Sequence, residues 1–188
     1  MEEQLLSKKE RKALRREERG QKSKKTKFIA WGIGIVVVGG IGALFLLPSR
    51  PESPRPGQAF PIQGQTHIAV GASHIAYNSN PPTSGPHYAQ PAGWGVYHSE
   101  LPDEQLIHNL EHGGIWISYK GIDATTTTAL EKIANSQAKI VMEPRANDDA
   151  PIVLASWGRL QKFQTYDEQA ILAFIEANRN QSPEPLAQ

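Results

Sequence analysis

From residue 28 to residue 47 the sequence reads FIAWGIGIVVVGGIGALFLL, twenty positions without a charge, closed by Pro48. A helix rises about 1.5 Å per residue, so such a run crosses the roughly 30 Å hydrocarbon core of a bilayer with its backbone hydrogen bonds satisfied internally. The expectation is one N-terminal transmembrane helix over 28–47, with the lipid bilayer as its partner. Eleven Lys and Arg precede the run, including Lys22, Lys24, Lys25 and Lys27, whereas only Arg50 and Arg55 follow within the next twenty residues. The positive-inside rule then keeps the N-terminus in the cytoplasm and places everything after residue 47 outside, as in a single-pass protein of the cell membrane. A cleaved signal peptide has an apolar region of about 7–15 residues and a small-x-small exit. This run is longer and leaves through LLPS, so an uncleaved anchor is expected.

Charge divides at the same place. Residues 1–27 form a basic tail with a net charge of +6, which leaves −5 on the remainder of a chain whose total is +1. A folded domain of that sign offers no basic face for phosphates, so nucleic acid is not an expected partner. Residues 48–59, with Pro51, Pro54 and Pro56, read as a proline-rich linker. An extracytoplasmic domain is expected over 60–180, and a C-terminal tail over 181–188. The chain contains no cysteine, which removes disulfides, thiolate nucleophiles and cysteine-based zinc ribbons together. A small exported domain of this kind depends on its apolar core, or on that core and a metal.

The outer domain reads as α/β or α+β. Residues 114–119, 139–142 and 151–157 are rich in β-branched and aromatic side chains and are expected strands. Between the first two, Asp123 caps an expected helix over 123–137 with Leu130, Ile133 and Ala134 on one face, giving a β-α-β unit within a small sheet. Thr165 and Glu168 have capping-box spacing ahead of Ile171, Phe174 and Ile175, which predicts a C-terminal helix packed on the sheet. Residues 61–101 lack clean periodicity and predict a long ordered loop region, the kind of segment that carries function.

All six histidines, His67, His74, His87, His98, His108 and His112, fall in one window, and no Lys or Arg occurs from Pro56 to Tyr119. A divalent cation held by neutral imidazoles is repelled by ammonium and guanidinium groups, so a stretch cleared of them favours a metal. The sharpest pattern is HNLEH at 108–112, between Pro102 and Gly113-Gly114. A helix opened by Pro102 and stopped by Gly113 puts His108 and His112 on one face at i, i+4. In NPPTSGPH at 80–87 the prolines stiffen a turn that presents His87 at a defined place. The candidate metal ligands are therefore His108 and His112, then His87 and His67, with Glu111 as a ligand or an outer-shell partner. Imidazole and carboxylate donors without thiolate suit a transition metal, Cu or Zn. The string HxxEH also matches the inverse-zincin pattern, in which Glu111 acts as the base for metal-bound water.

Taken in order, YNSNPPTSGPH at 77–87, LIHNLEHG at 106–113 and ASWGR at 155–159 resemble the bacterial family catalogued as domain of unknown function 3105. The likeness covers roughly residues 60–180. It implies a short, N-terminally anchored protein with one extracytoplasmic domain, and His87, His108, Glu111 and His112 map onto its motifs. It implies no reaction. Three functional readings follow: an anchored domain binding a transition metal through histidines; a cell-envelope module that docks a protein partner, with structural histidines; and a small metal-dependent hydrolase using Glu111 as base.

Overall fold

The strand sequences IWISY, IVMEP and IVLAS are apolar at almost every position, which demands a sheet covered on both faces. The structure, a computed structural model, describes residues 55–187. In chain order its elements are β1 (Gln58–Ala59), β2 (His67–Ile68), β3 (His87–Tyr88), β4 (Gly95–Val96), α1 (Asp103–Glu111), β5 (Ile115–Tyr119), α2 (Ala124–Ser136), β6 (Ile140–Pro144), β7 (Ile152–Ser156), β8 (Arg159–Phe163) and α3 (Glu168–Asn178). The architecture is mixed α+β. The expected transmembrane helix and basic tail lie outside the described residues. Among the described residues no helix is long and apolar enough to cross a membrane.

Six strands form one mixed sheet in the order β1-β8-β7-β5-β6-β4, and β2 pairs with β3 separately. The β-α-β expectation holds: β5 and β6 run parallel, joined through α2. Asp123 caps α2 as predicted, accepting the Thr126 N–H at 2.7 Å. The cap of α3 differs from the expected Thr165–Glu168 box. Asp167 accepts the Ala170 N–H at 3.0 Å instead, a carboxylate at a helix N-terminus where the backbone dipole favours negative charge. The turn Trp157-Gly158 folds β7 back onto β8, a strand whose charged sequence RLQKF gave little β signal.

Strand alternation sorts the side chains into two layers. Ile115, Ile117, Ile140, Met142, Ile152 and Leu154 face α2 and α3 and pack with Leu130, Ile133, Phe174 and Ile175. Met142 is thereby a core residue. On the opposite face Trp116, Val141 and Ala155 meet Leu106, Ile107 and Leu110 of α1, with Trp94, Tyr77 and Tyr97 closing the edges. Each fully buried Leu or Ile contributes roughly 1.5–3 kcal/mol relative to exposure, so α1 is held to the sheet by its apolar stripe. Of the expected loop region 61–101, Tyr77, Ala92, Trp94, Tyr97 and Leu101 pack in this second layer, while Gly95–Val96 joins the sheet edge beside β6.

Chain on both sides of 60–180 also joins the fold. The carbonyls of Arg55 and Gly57 accept from Arg159, each at 2.8 Å. At the other end Lys139 Nζ donates to the carbonyls of Pro185 and Ala187 and to that of His112, at 2.8, 2.9 and 2.9 Å. The Glu184 N–H donates to Glu111 O at 3.2 Å, so the last described residues lie against the end of α1.

Candidate metal centre

Two short stretches are zipped together to make one side of the centre. His87 N–H donates to Thr66 O at 3.0 Å and Gly85 N–H to Gly64 O at 3.2 Å, which sets the parallel register His67↔His87. Register partners on adjacent strands project their side chains to the same face, so the pairing brings two imidazoles together from positions far apart in sequence. The proline turn is clamped on both sides. Ser84 Oγ accepts the Gln63 N–H at 3.0 Å, and Tyr77 Oη donates to Pro86 O at 2.6 Å. Gly85 has φ +125°, and a Cβ there would meet the Tyr77 ring at 3.0 Å, so no other residue fits without strain.

The other side comes from α1. Pro102 stands at its N-cap, and Gly113 ends it with φ +82° and an N–H donating to Leu110 O at 3.0 Å. Asn109 ties the helix to the loop layer, its side chain accepting from Ala92 N and donating to Ala92 O, both at 2.9 Å. His108 and Glu111, at i and i+3, share the helix face turned to β3.

His67, His87, His108 and Glu111 each present one donor atom, and these four atoms lie within 4.8 Å of one another. His87 Nε2 is 2.9 Å and His67 Nε2 3.8 Å from Glu111 Oε2. The rings of His67 and His108 stack at 5.0 Å, and that of His87 stands edge-on to both at 4.9 and 5.1 Å. Donors about 2.0–2.1 Å from a four-coordinate ion would stand about 3.3 Å apart, so the 2.9 Å pair would open slightly and the wider pairs close for this group to hold one.

Outer contacts prepare the imidazoles for that role. His87 Nδ1 donates to Gly85 O at 2.8 Å and His108 Nδ1 to Tyr88 O at 2.7 Å. A carbonyl only accepts, so each ring keeps its proton on Nδ1 and leaves Nε2 with its lone pair, that of His87 facing Glu111 and that of His108 between the group and His112. Burial holds the His108 imidazole below its ordinary pKa, with His112 and His87 acting in the same direction and the Tyr88 carbonyl opposing them. A neutral ring at neutral pH is the metal-binding form. His87 is fully buried, whereas the His67 side chain is half exposed, so the centre meets solvent on the His67 side.

A family model described as "Protein of unknown function (DUF3105)" matches residues 69–188. The chain belongs to this family. No curated protein and no solved structure matches the chain. Within the DUF3105 match lie His87, His108 and Glu111, while His67 stands just ahead of it.

The i, i+4 spacing of His108 and His112 brings their Nε2 atoms to 3.0 Å, but His112 is not one of the four convergent residues. Its Nε2 also faces Glu184 Oε2 at 3.6 Å, and its Nδ1 is buried without a partner. His74 and His98 lie elsewhere, beside Glu104 at 3.2 Å and Glu131 at 3.8 Å. The half-exposed His67, ranked behind the helical pair on sequence, is brought in by strand register, a long-range relation that local spacing does not encode. Sequence reasoning also missed a buried polar group in the second layer, formed by Glu143, Arg145 and Asp148. The strand continues past the expected 139–142 to Pro144, and its alternation puts Glu143 on the same face as Val141.

Proposed function

We propose that this DUF3105 domain binds one transition-metal ion, Zn or Cu, through His67, His87, His108 and Glu111, and that residues 28–47 anchor it to the outer face of the cell membrane. The observation that carries the metal reading is the convergence of four donor atoms from three segments, with the two buried imidazoles already oriented by backbone carbonyls. Three nitrogens and one carboxylate oxygen suit borderline ions, and no soft sulfur donor is present to select Cu(I). With His67 half exposed, a ligand can exchange or a water can enter without the core opening. This favours metal handling at the envelope over a sealed structural site.

The test is metal content. The full-length chain, purified without an affinity tag from cells grown with Zn and Cu, is expected to retain about one equivalent of metal. His87→Ala and His108→Ala each abolish retention, whereas His98→Ala leaves it intact. A wild-type protein that holds no stoichiometric metal and shows no thermal shift with added Zn or Cu would overturn the reading.

A further inference from the structure

Two of the three segments that carry the proposed ligands, the turn ending in His87 and the helix bearing His108 and Glu111, are separate in sequence, yet one cation touches both. Arg145, which follows β6, is nearly inaccessible to solvent at 4% exposure. Its Nη1 donates to Asn80 Oδ1 at 2.6 Å and to Asp148 Oδ1 at 2.8 Å. Its Nε and Nη2 form a two-point fork with Asp103, at 2.9 Å to Oδ1 and 2.7 Å to Oδ2. Asn80 opens the proline turn that ends in His87, and its Nδ2 donates to Asn147 O at 2.8 Å. Asp103 is the first residue of α1, the helix that carries His108 and Glu111. The guanidinium also lies 5.6 Å over the ring of Trp116, the side chain on which α1 packs.

We propose that Arg145 is the positioning residue of the metal centre: it joins the His87 turn, through Asn80, to the His108–Glu111 helix, through Asp103, and so sets the distance between the two halves of the ligand set. The inference rests on the metal reading given above. Its physical basis is that both arms are stiff. From Asn80 to His87 the turn contains Pro81, Pro82 and Pro86, and from Asp103 to Glu111 the chain is one uninterrupted helix. A displacement at either arm is therefore carried to the donor atoms, and a ligand set held even a fraction of an ångström too wide binds metal less tightly. Lysine cannot replace arginine here, because a single ammonium cannot make the planar fork to Asp103 while also reaching Asn80 and Asp148.

The experiment compares the full-length wild type with Arg145→Lys, Asn80→Ala and, as a control, Ile133→Val in the opposite layer. Each is titrated with Zn(II) and with Co(II), whose visible bands report ligand geometry, well below its unfolding temperature. Wild type binds one ion. Arg145→Lys and Asn80→Ala lose about tenfold or more in affinity and show altered Co(II) bands, whereas Ile133→Val, though less stable, keeps wild-type affinity and bands. Asn80→Ala removes only the turn arm, so it reports even where Arg145→Lys folds poorly. Wild-type affinity and bands in a folded Asn80→Ala variant, or an equal loss in Ile133→Val, would overturn the role of Arg145 while leaving the metal reading in place. A wild type that binds neither ion would overturn both.

Discussion

His87 Nε2 lies 2.9 Å from Glu111 Oε2, and both side chains are shut away from solvent. The Nδ1 proton of His87 is committed to Gly85 O, so the Nε2–Oε2 contact needs a second proton on one partner or a metal between them. This distinguishes two roles for Glu111. If it serves only as a hydrogen-bond partner, an amide replaces it adequately; if it is a ligand, an amide does not.

Glu111→Gln is therefore expected to leave metal-free stability within about 1 kcal/mol of wild type, because the amide N–H donates to the neutral imidazole. The same variant loses most of the stabilisation that metal confers, which for a single site is about 2.7 kcal/mol at a free-ion concentration one hundred times Kd. Thermal unfolding with and without Zn measures both quantities. Equal metal stabilisation in Glu111→Gln and wild type would remove Glu111 from the ligand set.

The turn before His87 offers a backbone test. Gly85→Ala forces a Cβ against Tyr77 at a φ of +125°, a strain of about 1–3 kcal/mol. Relief moves the Gly85 carbonyl that orients His87. The expected outcome is weaker metal binding with α2 and α3 unaffected, read by titration and by hydrogen exchange. Wild-type affinity in Gly85→Ala would show that the turn does not orient the ligand.

Glu143 predicts a pH dependence independent of the metal. Burial pushes its carboxyl from an ordinary 4.5 up to about 8, and the nearby Asp103 and Glu100 carboxylates add to the shift. The Leu101 N–H at 2.5 Å and Arg145 oppose it. Between those two values the folded state binds the proton that the unfolded state has released. Stability from this group is therefore full below about 4.5, declines as pH rises toward about 8, and levels off above it. Histidines titrate in the same range, so the comparison is with Glu143→Gln. Metal-free wild type is expected to lose more thermal stability from pH 5.5 to 8.5 than the glutamine variant, and parallel curves would contradict the raised pKa.

Much of the fold was legible locally. The strands of the β-α-β unit, the Asp123 cap and the stop at Gly113 all follow from short-range patterns, because burial on both faces and helix termination act over a few residues. The pairing of β2 with β3 did not, since two residues per strand carry no periodic signal and their register is set by contacts with Gly64 and Thr66. The same reason explains the site. Helical spacing paired His108 with His112, of which only His108 joins the group, beside Glu111 one turn on, and the approach of His67 to His87 depends on a pairing across the loop region. Arg145 and Asp148 were invisible as core residues because only their mutual neutralisation, at 2.8 Å, makes their burial tolerable.

The proposed anchor has its own test. Full-length protein is expected to stay with membranes after alkaline carbonate washing, and a protease added outside intact cells is expected to reach the domain while sparing a tag fused ahead of residue 1. Release by carbonate, or cleavage of the N-terminal tag, would contradict the orientation.

The most direct measurement is X-ray absorption at the metal edge of the loaded full-length protein. The account predicts a first shell of three imidazole nitrogens and a carboxylate oxygen, with one imidazole lost in His67→Ala. A first shell containing fewer than two imidazoles, or one unchanged in His67→Ala, would contradict it.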